Sequence, residues 1–296
     1  MVAYQNIAIA GATGNLGPSI VRKLLNAGLN VIVLTRNGTR SATLPQSVKQ
    51  VVVEYSSQQS LVAALGGIEA LISTIPDHGA QPALIDAAIE AGVKRFISSD
   101  FGSDVPGNTQ TASLPVFAGK AKTQAYLESK RDQIEYTQVV NGALLDWGIM
   151  VGFLIDVRGG PTRLFDGGRG RFSATTLAHV AQAVLGILQH SAETLNRAVY
   201  VQSAAVSQMQ LLALAKQAKP SLKTETSVHS TAELEKGAYA ILESGNGDIR
   251  NAMLDFIAVS IFREGYGGLF SLTDNNLLGI KELDEAELSS LVSQFV

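Results

Sequence analysis

The amino-acid sequence predicts an α/β protein whose first half forms a doubly wound parallel sheet covered by helices. Short apolar runs alternate with amphipathic stretches from residue 6 to residue 142, and glycines follow several of those stretches. The first apolar run leads directly into a glycine-rich turn. Because strands that alternate with helices are typical of βαβ units, we expect the strands to lie parallel in one sheet.

The elements of the first half follow one another in a regular order. The apolar runs predict strands at residues 6–11, 30–36, 48–55, 68–75, 94–102 (with its loop) and 134–142. The amphipathic stretches predict helices at residues 18–28, 60–67, 80–93 and 116–131. Pro18 stands near the first turn of the first helix and Gly28 at its end, where these residue types favour a helix start and a helix stop.

After residue 142 the alternation loosens, which predicts a second and smaller lobe. Helices are predicted at residues 175–190, 207–220, 230–244 and 284–295, a strand at 196–203, and loop with short strands at 152–173. No helix opens after the glycine-rich residues 159–170, so they predict a surface turn or a hairpin rather than a second phosphate loop. We expect one domain at residues 1–152 and a mostly helical lobe at 153–296, whose segment 175–203 returns to the sheet.

The turn after the first strand has glycines at every third position, Gly11, Gly14 and Gly17. Glycine takes positive φ and lets the backbone approach a ligand closely, and the helix that follows offers unpaired N–H groups and a positive dipole end. We expect Gly11 to make the turn, Gly14 to admit a diphosphate and Gly17 to allow tight packing of the helix on the strand. The other residues of the turn expected to contact the ligand are Thr13, Asn15 and Leu16.

The spacing G-x-x-G-x-x-G differs from the commoner G-x-G-x-x-G, so its context decides its interpretation. The turn follows a predicted strand, opens a predicted helix and begins a series of βαβ units. This context favours dinucleotide binding. A tight turn that binds no ligand is the alternative.

The end of the second strand indicates which dinucleotide is bound. An NAD site has an acidic residue there to hold the ribose 2′-hydroxyl, whereas this chain reads VLTRN, with Arg36 and no carboxylate. A guanidinium pairs bidentately with phosphate, so we expect Arg36, assisted by Arg40, to hold the 2′-phosphate of NADP(H). The alternative is that Arg36 is an ordinary solvated cation at a strand end.

Six segments carry a resemblance to a known family: GATGNLG, LTRN, STIP, ISSDFG, FAGKAKTQAYLE and EYTQVVNG. In this order they resemble the NmrA-like and isoflavone-reductase-like branch of the atypical short-chain dehydrogenases, over about residues 3–155 and more loosely to the C-terminus. The resemblance implies one of two activities. Members known as enzymes reduce phenylpropanoid-type substrates with NADPH, and other members bind NADP(H) and act as redox-sensing regulators.

The resemblance also implies a catalytic lysine near the start of the helix after the fifth strand, and the matching residue is Lys120. Ordinary short-chain dehydrogenases have Tyr-x-x-x-Lys at this place, but Val116 stands four residues before Lys120. A lysine there can hold the nicotinamide ribose, and it can act as a general acid or base when burial or a neighbouring charge lowers its pKa. A solvated helix lysine is the alternative. Tyr126 and Lys130 are the runner-up pair, because they match the tyrosine–lysine spacing literally.

Loops at the carboxyl ends of the strands supply further candidates, because ligands bind there in an open α/β sheet. Thr74, Ile75 and Pro76 are expected beside the nicotinamide. Tyr55 and Ser56, after the third strand, are expected beside the adenine. Plain loops are the alternative at each of these positions.

The remaining candidates lie on the substrate side. His78, in the loop after the fourth strand, is a histidine that could exchange a proton near neutral pH. The reductases that this chain resembles have a glutamate before Phe-Gly, and here Asp100 precedes Phe101. The further pocket residues that the resemblance implies are Asn141 at the cofactor, Gly142 in the pocket floor and Phe153 in the substrate wall.

The composition excludes several function classes. The formal net charge is −3 and no basic tract stands out, so we expect no nucleic-acid partner. The chain has no cysteine for thiolate chemistry, and its four histidines are scattered, which predicts no metal site. The N-terminus is unlike a leader and no apolar run reaches about 18 residues, so we expect a cytoplasmic protein with no membrane partner.

Together these observations predict an NADPH-dependent reductase of a small hydrophobic or aromatic, phenylpropanoid-like substrate. Residues 1–152 would bind NADP(H), and residues 153–296 would bind the substrate. The alternative is a non-enzymatic NADP(H) sensor that binds a partner protein, since the glycine turn and Arg36 would serve both. Lys120 favours the enzyme, because a sensor has no need of a proton-transfer group.

Overall fold

The computed structural model describes residues 4–36, 38, 41–76 and 79–296. Two predicted site residues, Arg40 and His78, lie outside the described residues, so their roles stay predictions. The strands of the described chain are β1 (Asn6–Ala10), β2 (Asn30–Thr35), β3 (Lys49–Val52), β4 (Ala70–Ser73), β5 (Arg95–Ile97), β6 (Glu135–Val140), β7 (Ala143–Leu144), β8 (Thr162–Phe165), β9 (Phe172–Thr175), β10 (Arg197–Tyr200), β11 (Ala204–Val206) and β12 (Thr226–His229). The α-helices are α1 (Gly17–Asn26), α2 (Gln58–Leu65), α3 (Gln81–Glu90), α4 (Thr109–Ser113), α5 (Ala118–Ser129), α6 (Leu145–Met150), α7 (Leu177–Gln189), α8 (Gln208–Ala218), α9 (Thr231–Ser244), α10 (Ile249–Phe262) and α11 (Glu285–Ser293).

Seven parallel strands form the central sheet of the described chain, in the order β10-β6-β5-β4-β1-β2-β3. β1 lies between β2 and β4, with Ile7 opposite Val31 on one side and Ala70 on the other. The strand order reverses at β1, which creates a crevice outside the carboxyl ends of these strands. The predicted doubly wound parallel sheet is confirmed.

Buried side chains cover both faces of this sheet, as expected for strands that are apolar along their whole length. Successive side chains of a strand alternate between faces, so Ile7 and Ile9 of β1 point to one face and Ala8 and Ala10 to the other. The first face packs on α1 and α7, and the second packs on α2, α3 and α5. The sheet is therefore held between two helical layers.

The second half of the chain builds a smaller lobe and also returns to the sheet. β10 pairs in parallel with β6, and α7 packs against α1. The short strands β11, β9 and β7 form a separate three-stranded sheet, while α8 packs on α11 and α9 on α10. In the part of the chain that the structure describes, no helix is long and apolar enough to cross a bilayer.

One feature of this lobe decides between two sequence predictions, and another was not predicted. Residues 159–170 form no hairpin, because β8 pairs in parallel with the distant β12 and the next strand, β9, joins a different sheet. A tight turn at Asp166–Gly168 separates β8 from β9, as the alternative of a surface turn predicts. The long helix α10 is absent from the predicted helices, although the side chain of Asp248 caps its first turn by accepting from the N–H of Asn251.

Candidate active site

The glycine turn brings the end of β1 against the loop after β4. Gly11 has φ +82°, and a Cβ on it would lie 2.8 Å from the backbone nitrogen of Ile75. The N–H of Gly14 donates to the Gly11 carbonyl at 3.0 Å, which closes the turn. Only a residue without a side chain fits at Gly11, as expected for the residue that makes the turn.

Gly17 makes a close backbone contact, but not the predicted packing of the helix on the strand. A Cβ on Gly17 would overlap the backbone of Ala12, which lies in the turn after β1 ends at Ala10. The glycine therefore packs the start of α1 against the turn and not against the strand. The first turn of α1 therefore contacts the loop that precedes the helix.

The amino end of α1 is left open toward solvent and toward the crevice. Leu16 is the residue before the helix, no side chain caps the first turn, and no acidic residue lies in that turn. Within the described residues, no acceptor receives the backbone N–H of Asn15 or Leu16. Unpaired N–H groups and the positive end of the helix dipole make this position suitable for a diphosphate.

One cavity of about 790 Å³ lies along the carboxyl ends of the strands. It runs from Tyr55 after β3, past Arg36 after β2 and Gly11 after β1, to Phe101 after β5. This path crosses four strand spacings, or about 19 Å. The residues that line the cavity are Gly11, Thr13, Gly14, Asn15, Leu16, Leu34, Thr35, Arg36, Tyr55, Thr74, Ile75, Pro76, Ala80, Ser99, Phe101 and Leu144.

Arg36 and Tyr55 form the polar end of this cavity. Arg36 is exposed, and none of the described carboxylates forms an ion pair with it. Burial raises the pKa of Tyr55 to about 12, against the opposing effect of the nearby Arg36 charge, so the phenol stays neutral. Ser56 does not line the cavity, and its hydroxyl donates to Glu54 at 2.9 Å.

The other end of the cavity is apolar. Ile75, Pro76, Phe101 and Leu144 line it. The hydroxyl of Thr74 donates to the Ala10 carbonyl at 3.0 Å, which ties the loop after β4 to the end of β1. A ligand group in this part of the cavity would therefore meet hydrocarbon surface on several sides.

Lys120 lies behind the apolar end, near the start of α5. Its Nζ donates to the carbonyl of Phe101 at 2.9 Å and lies 5.9 Å from the centre of the Phe117 ring. The side chain is half-buried and does not itself line the cavity. The ammonium is thus bonded directly to Phe101, a residue of the cavity wall.

Asp100 is the residue that the resemblance implies on the substrate side. It is 2 % exposed and does not line the cavity. Its carboxylate accepts from the Ser98 hydroxyl and from Nε2 of Gln124 at 2.8 Å. The side chain therefore points between β5 and α5, away from the cavity.

Three other predicted pocket residues are also absent from the cavity lining. Asn141 is fully buried, and its Oδ1 has no hydrogen-bond partner among the described residues. Gly142 has φ +61°, and a Cβ on it would overlap the Ser173 carbonyl of β9. Phe153 packs in the core of the lobe, with its ring centre 6.4 Å from that of Phe262. None of the three lines the cavity.

The runner-up pair, Tyr126 and Lys130, lies on the side of α5 that faces α3. The Tyr126 hydroxyl donates to Asp86 of α3, and this bond raises the pKa of the phenol to about 12. Nζ of Lys130 lies 5.4 Å from the centre of the Tyr126 ring. Neither residue lines the cavity.

Sequence reasoning missed several lining residues, which are Leu34, Thr35, Ala80, Ser99 and Leu144. Leu34 and Thr35 end β2 just before Arg36, so their place at a strand end is a signal that could have found them. Leu144 lies in β7, outside the large sheet, four residues after β6 ends. Its place after a strand end is the same kind of signal.

The sheet order, the glycine turn and the cavity at the switch in strand order define a doubly wound α/β protein with a dinucleotide-type site. The chain belongs to the NmrA-like family. The model of that family matches residues 3–146. The resemblance stated from the six sequence segments is confirmed.

Individual relatives are similar to this chain over nearly its whole length. The oxidoreductase poxI of Penicillium oxalicum is 31 % identical, over 96 % of this chain and 93 % of that protein. The solved structure of AtPrR2 with NADP+ and (+)pinoresinol is 20 % identical and has a TM-score of 0.81 over 100 % of both chains. A solved isoflavone reductase is 20 % identical, with a TM-score of 0.75 over 99 % of this chain and 100 % of that one. At these identities the two structures demonstrate a shared fold.

Proposed function

We propose that this protein is an NADPH-dependent reductase of a small hydrophobic substrate, in which Lys120 holds a proton for the reaction. The observation that carries the proposal is the single cavity that joins an unpaired guanidinium, an open helix amino end and an apolar pocket backed by a lysine. The name of the poxI relative and the NADP+ bound to AtPrR2 support the same function.

The residues present fit NADP(H). A Cβ on Gly14 would meet only the Gly11 carbonyl, so a ligand can approach the turn there, and the N–H groups of Asn15 and Leu16, which no described acceptor receives, would bind the diphosphate. Arg36 would bind the 2′-phosphate through charge-assisted hydrogen bonds, with the Tyr55 ring beside the adenosine.

When bound, NADPH would supply the hydride, and the chain's own residues would prepare the site for it. Ile75, Pro76, Phe101 and Leu144 would exclude water from the reacting end and hold the apolar body of the substrate. Their chemistry favours a substrate with a hydrophobic or aromatic core. It sets no finer preference.

Lys120 would hold the proton that the reduced substrate receives. The carbonyl of Phe101 accepts from its Nζ, which fixes the ammonium one residue from the cavity wall. Val116 packs with apolar residues near α10 and has no ionisable group, so the tyrosine of ordinary short-chain dehydrogenases is absent. General acid chemistry would therefore fall to the lysine.

We propose that residues 1–152 bind the cofactor and supply the apolar walls of the cavity, and that residues 153–296 complete the substrate side around it. The return of α7 and β10 to the sheet supports the expected crossing of residues 175–203 between the two. Phe256 and Val259 of α10 pack on Leu114 and Phe117, just before Lys120, which supports a role for the lobe in closing the substrate side.

Oxidation of NADPH with a panel of aromatic enones, benzylic ethers and quinones tests the proposal. We expect turnover with at least one class, and Lys120→Ala should abolish it while NADPH still binds. Lys122→Ala is the matched control, because Lys122 is an exposed lysine of the same helix. No turnover on the whole panel, with NADP+ and NADPH bound at very different affinities, would instead favour the sensor with a protein partner.

A further inference from the structure

The buried carboxylate of Asp100 forms hydrogen bonds next to Phe101, the residue that Lys120 contacts. The Asp100 carboxylate accepts from the Ser98 hydroxyl and from the Gln124 side-chain amide, and it is 2 % exposed. An ionised carboxylate is costly to bury unless donors satisfy it. These two donors hold Asp100 in one orientation against α5.

Two side chains on one face of α5 donate hydrogen bonds to consecutive residues, Asp100 and Phe101, of the segment after β5. Lys120 and Gln124 are four residues apart, so they lie on one face of α5, one turn from each other. Lys120 donates to the carbonyl of Phe101 at 2.9 Å, and Gln124 donates to the carboxylate of Asp100 at 2.8 Å. The helix face is thus tied twice to the end of β5.

Away from these two bonds, α5 packs through Leu127 and Tyr126 on the side that faces α3. Thr123 and Leu127 are its buried residues. On the side of Lys120, Nζ lies 3.6 Å from the place that a Cβ on Gly102 would take, so little space separates the ammonium from the segment after β5. A shift of α5 relative to this segment would therefore move the ammonium relative to Phe101, a residue of the cavity wall.

We propose that Asp100 is a positioning residue that acts through Gln124. It fixes α5 against the end of β5, and so places the Lys120 ammonium at the reacting end of the cavity. The proposal rests on the proposed function, in which Lys120 holds the proton. It gives Asp100 a role other than the predicted contact with substrate.

The first test measures Lys120 in the cofactor-free protein. Gln124→Met removes the donor and keeps the side-chain length, and we expect it to raise the acetylation rate of Lys120 relative to Lys122 about fivefold, the effect of one lost hydrogen bond. Peptide mass spectrometry after brief treatment with acetic anhydride gives this ratio. Gln59→Met is the control, because Gln59 is an exposed glutamine of α2.

Two variants at Asp100 test the same hydrogen bond in the acetylation assay. Asp100→Ala should raise the ratio as Gln124→Met does. Asp100→Asn should keep it near the wild-type value, because its amide can still accept from Gln124 and bond to Ser98. An acetylation ratio that is unchanged in both Gln124→Met and Asp100→Ala overturns the proposal. If Asp100→Ala does not fold, an unchanged ratio in Gln124→Met alone overturns it.

Steady-state kinetics then distinguish a failure of the positioning role from a failure of the proposed reductase function. With a substrate from the panel, Gln124→Met should lower kcat about fivefold at unchanged KM for NADPH, and Gln59→Met should change neither. A raised acetylation ratio without turnover in the wild type supports the positioning role and contradicts the reductase. Turnover in the wild type with an unchanged ratio contradicts the positioning role alone.

Discussion

Arg36 and Lys120 are the charged side chains that distinguish the two ends of the cavity. Arg36 lies exposed beside Tyr55, and no carboxylate of the described chain neutralises it, so its charge is available to a phosphate. Lys120 is half-buried and bonded to a backbone carbonyl. The first side chain is suited to bind an anion, and the second to hold a proton in a fixed place.

Replacing Arg36 by alanine should weaken NADPH binding selectively. The lost charge-assisted phosphate contact is worth roughly 1.5–3 kcal/mol, and NADH, which lacks the 2′-phosphate, should bind almost as before. Fluorescence titration with both nucleotides measures the two affinities. Arg169→Ala is the control, since Arg169 is exposed and does not line the cavity. Equal losses for NADPH and NADH would remove Arg36 from this role.

At the residue scale, the sequence indicates a place at the cavity where backbone position alone decides it. The glycine turn and Arg36 line the cavity because they lie at strand ends. The sequence does not indicate that the side chains of Asp100 and Phe153 turn toward Gln124 and Phe262. The direction of a side chain depends on partners far along the chain, which the local pattern does not contain.

At the scale of elements, α1 is the helix whose placement matters most to the site. Its first residue, Gly17, touches the backbone of Ala12, and its amino end faces the cavity. The contact draws the free N–H groups of the turn toward the place of the diphosphate. Packing at one glycine thus sets the position of the anion site.

Two glycine-to-alanine changes in helices should have opposite signs. Gly17→Ala should lower the free energy of unfolding by about 1–3 kcal/mol, because the added methyl overlaps backbone that cannot yield easily. Gly237→Ala should raise it by about 0.5–1 kcal/mol, because open space surrounds that position in α9. Urea unfolding followed by circular dichroism measures both. A stabilising Gly17→Ala would refute the close packing at the turn.

Most strands and helices of the first half were predictable, because β1, β2 and β4 are mainly apolar runs and α1 and α3 have proline in their first turn and glycine just after their ends. The elements of the second half of the chain were less predictable. α10 is buried through Ala252, Phe256 and Val259, and its run of apolar residues lacks the polar face that marks a surface helix. The pairing of β8 with β12 joins segments about 60 residues apart, which no local signal encodes.

At the scale of the whole molecule, His179 lies where the two halves of the chain meet. It stands in the first turn of α7, and its Nδ1 bonds to the Ser203 hydroxyl at 2.7 Å. Burial lowers the pKa of His179, while the charges of Asp146 and Glu287 oppose that shift and Lys23 adds to it. The folded protein therefore favours the neutral imidazole.

The stability of the protein should fall as the pH drops below about 6.5, the usual pKa of histidine. In the window between 6.5 and the lowered pKa of His179, the unfolded chain binds more protons than the folded one, so acid favours unfolding. His179→Asn keeps a polar partner for Ser203 but does not titrate, and it should lose less stability in this window. Thermal unfolding from pH 7 to pH 5 tests this. An identical loss in both proteins would contradict it.

The central claim concerns the cavity that crosses the sheet from Tyr55 to Phe101, which we interpret as the NADPH site. Isothermal titration calorimetry of the wild-type protein with NADPH and with NADH tests it most directly. The account predicts that NADPH binds at least about tenfold more tightly than NADH, the ratio that about 1.4 kcal/mol of phosphate contact gives. Absence of NADPH binding to folded protein at millimolar concentration would contradict it.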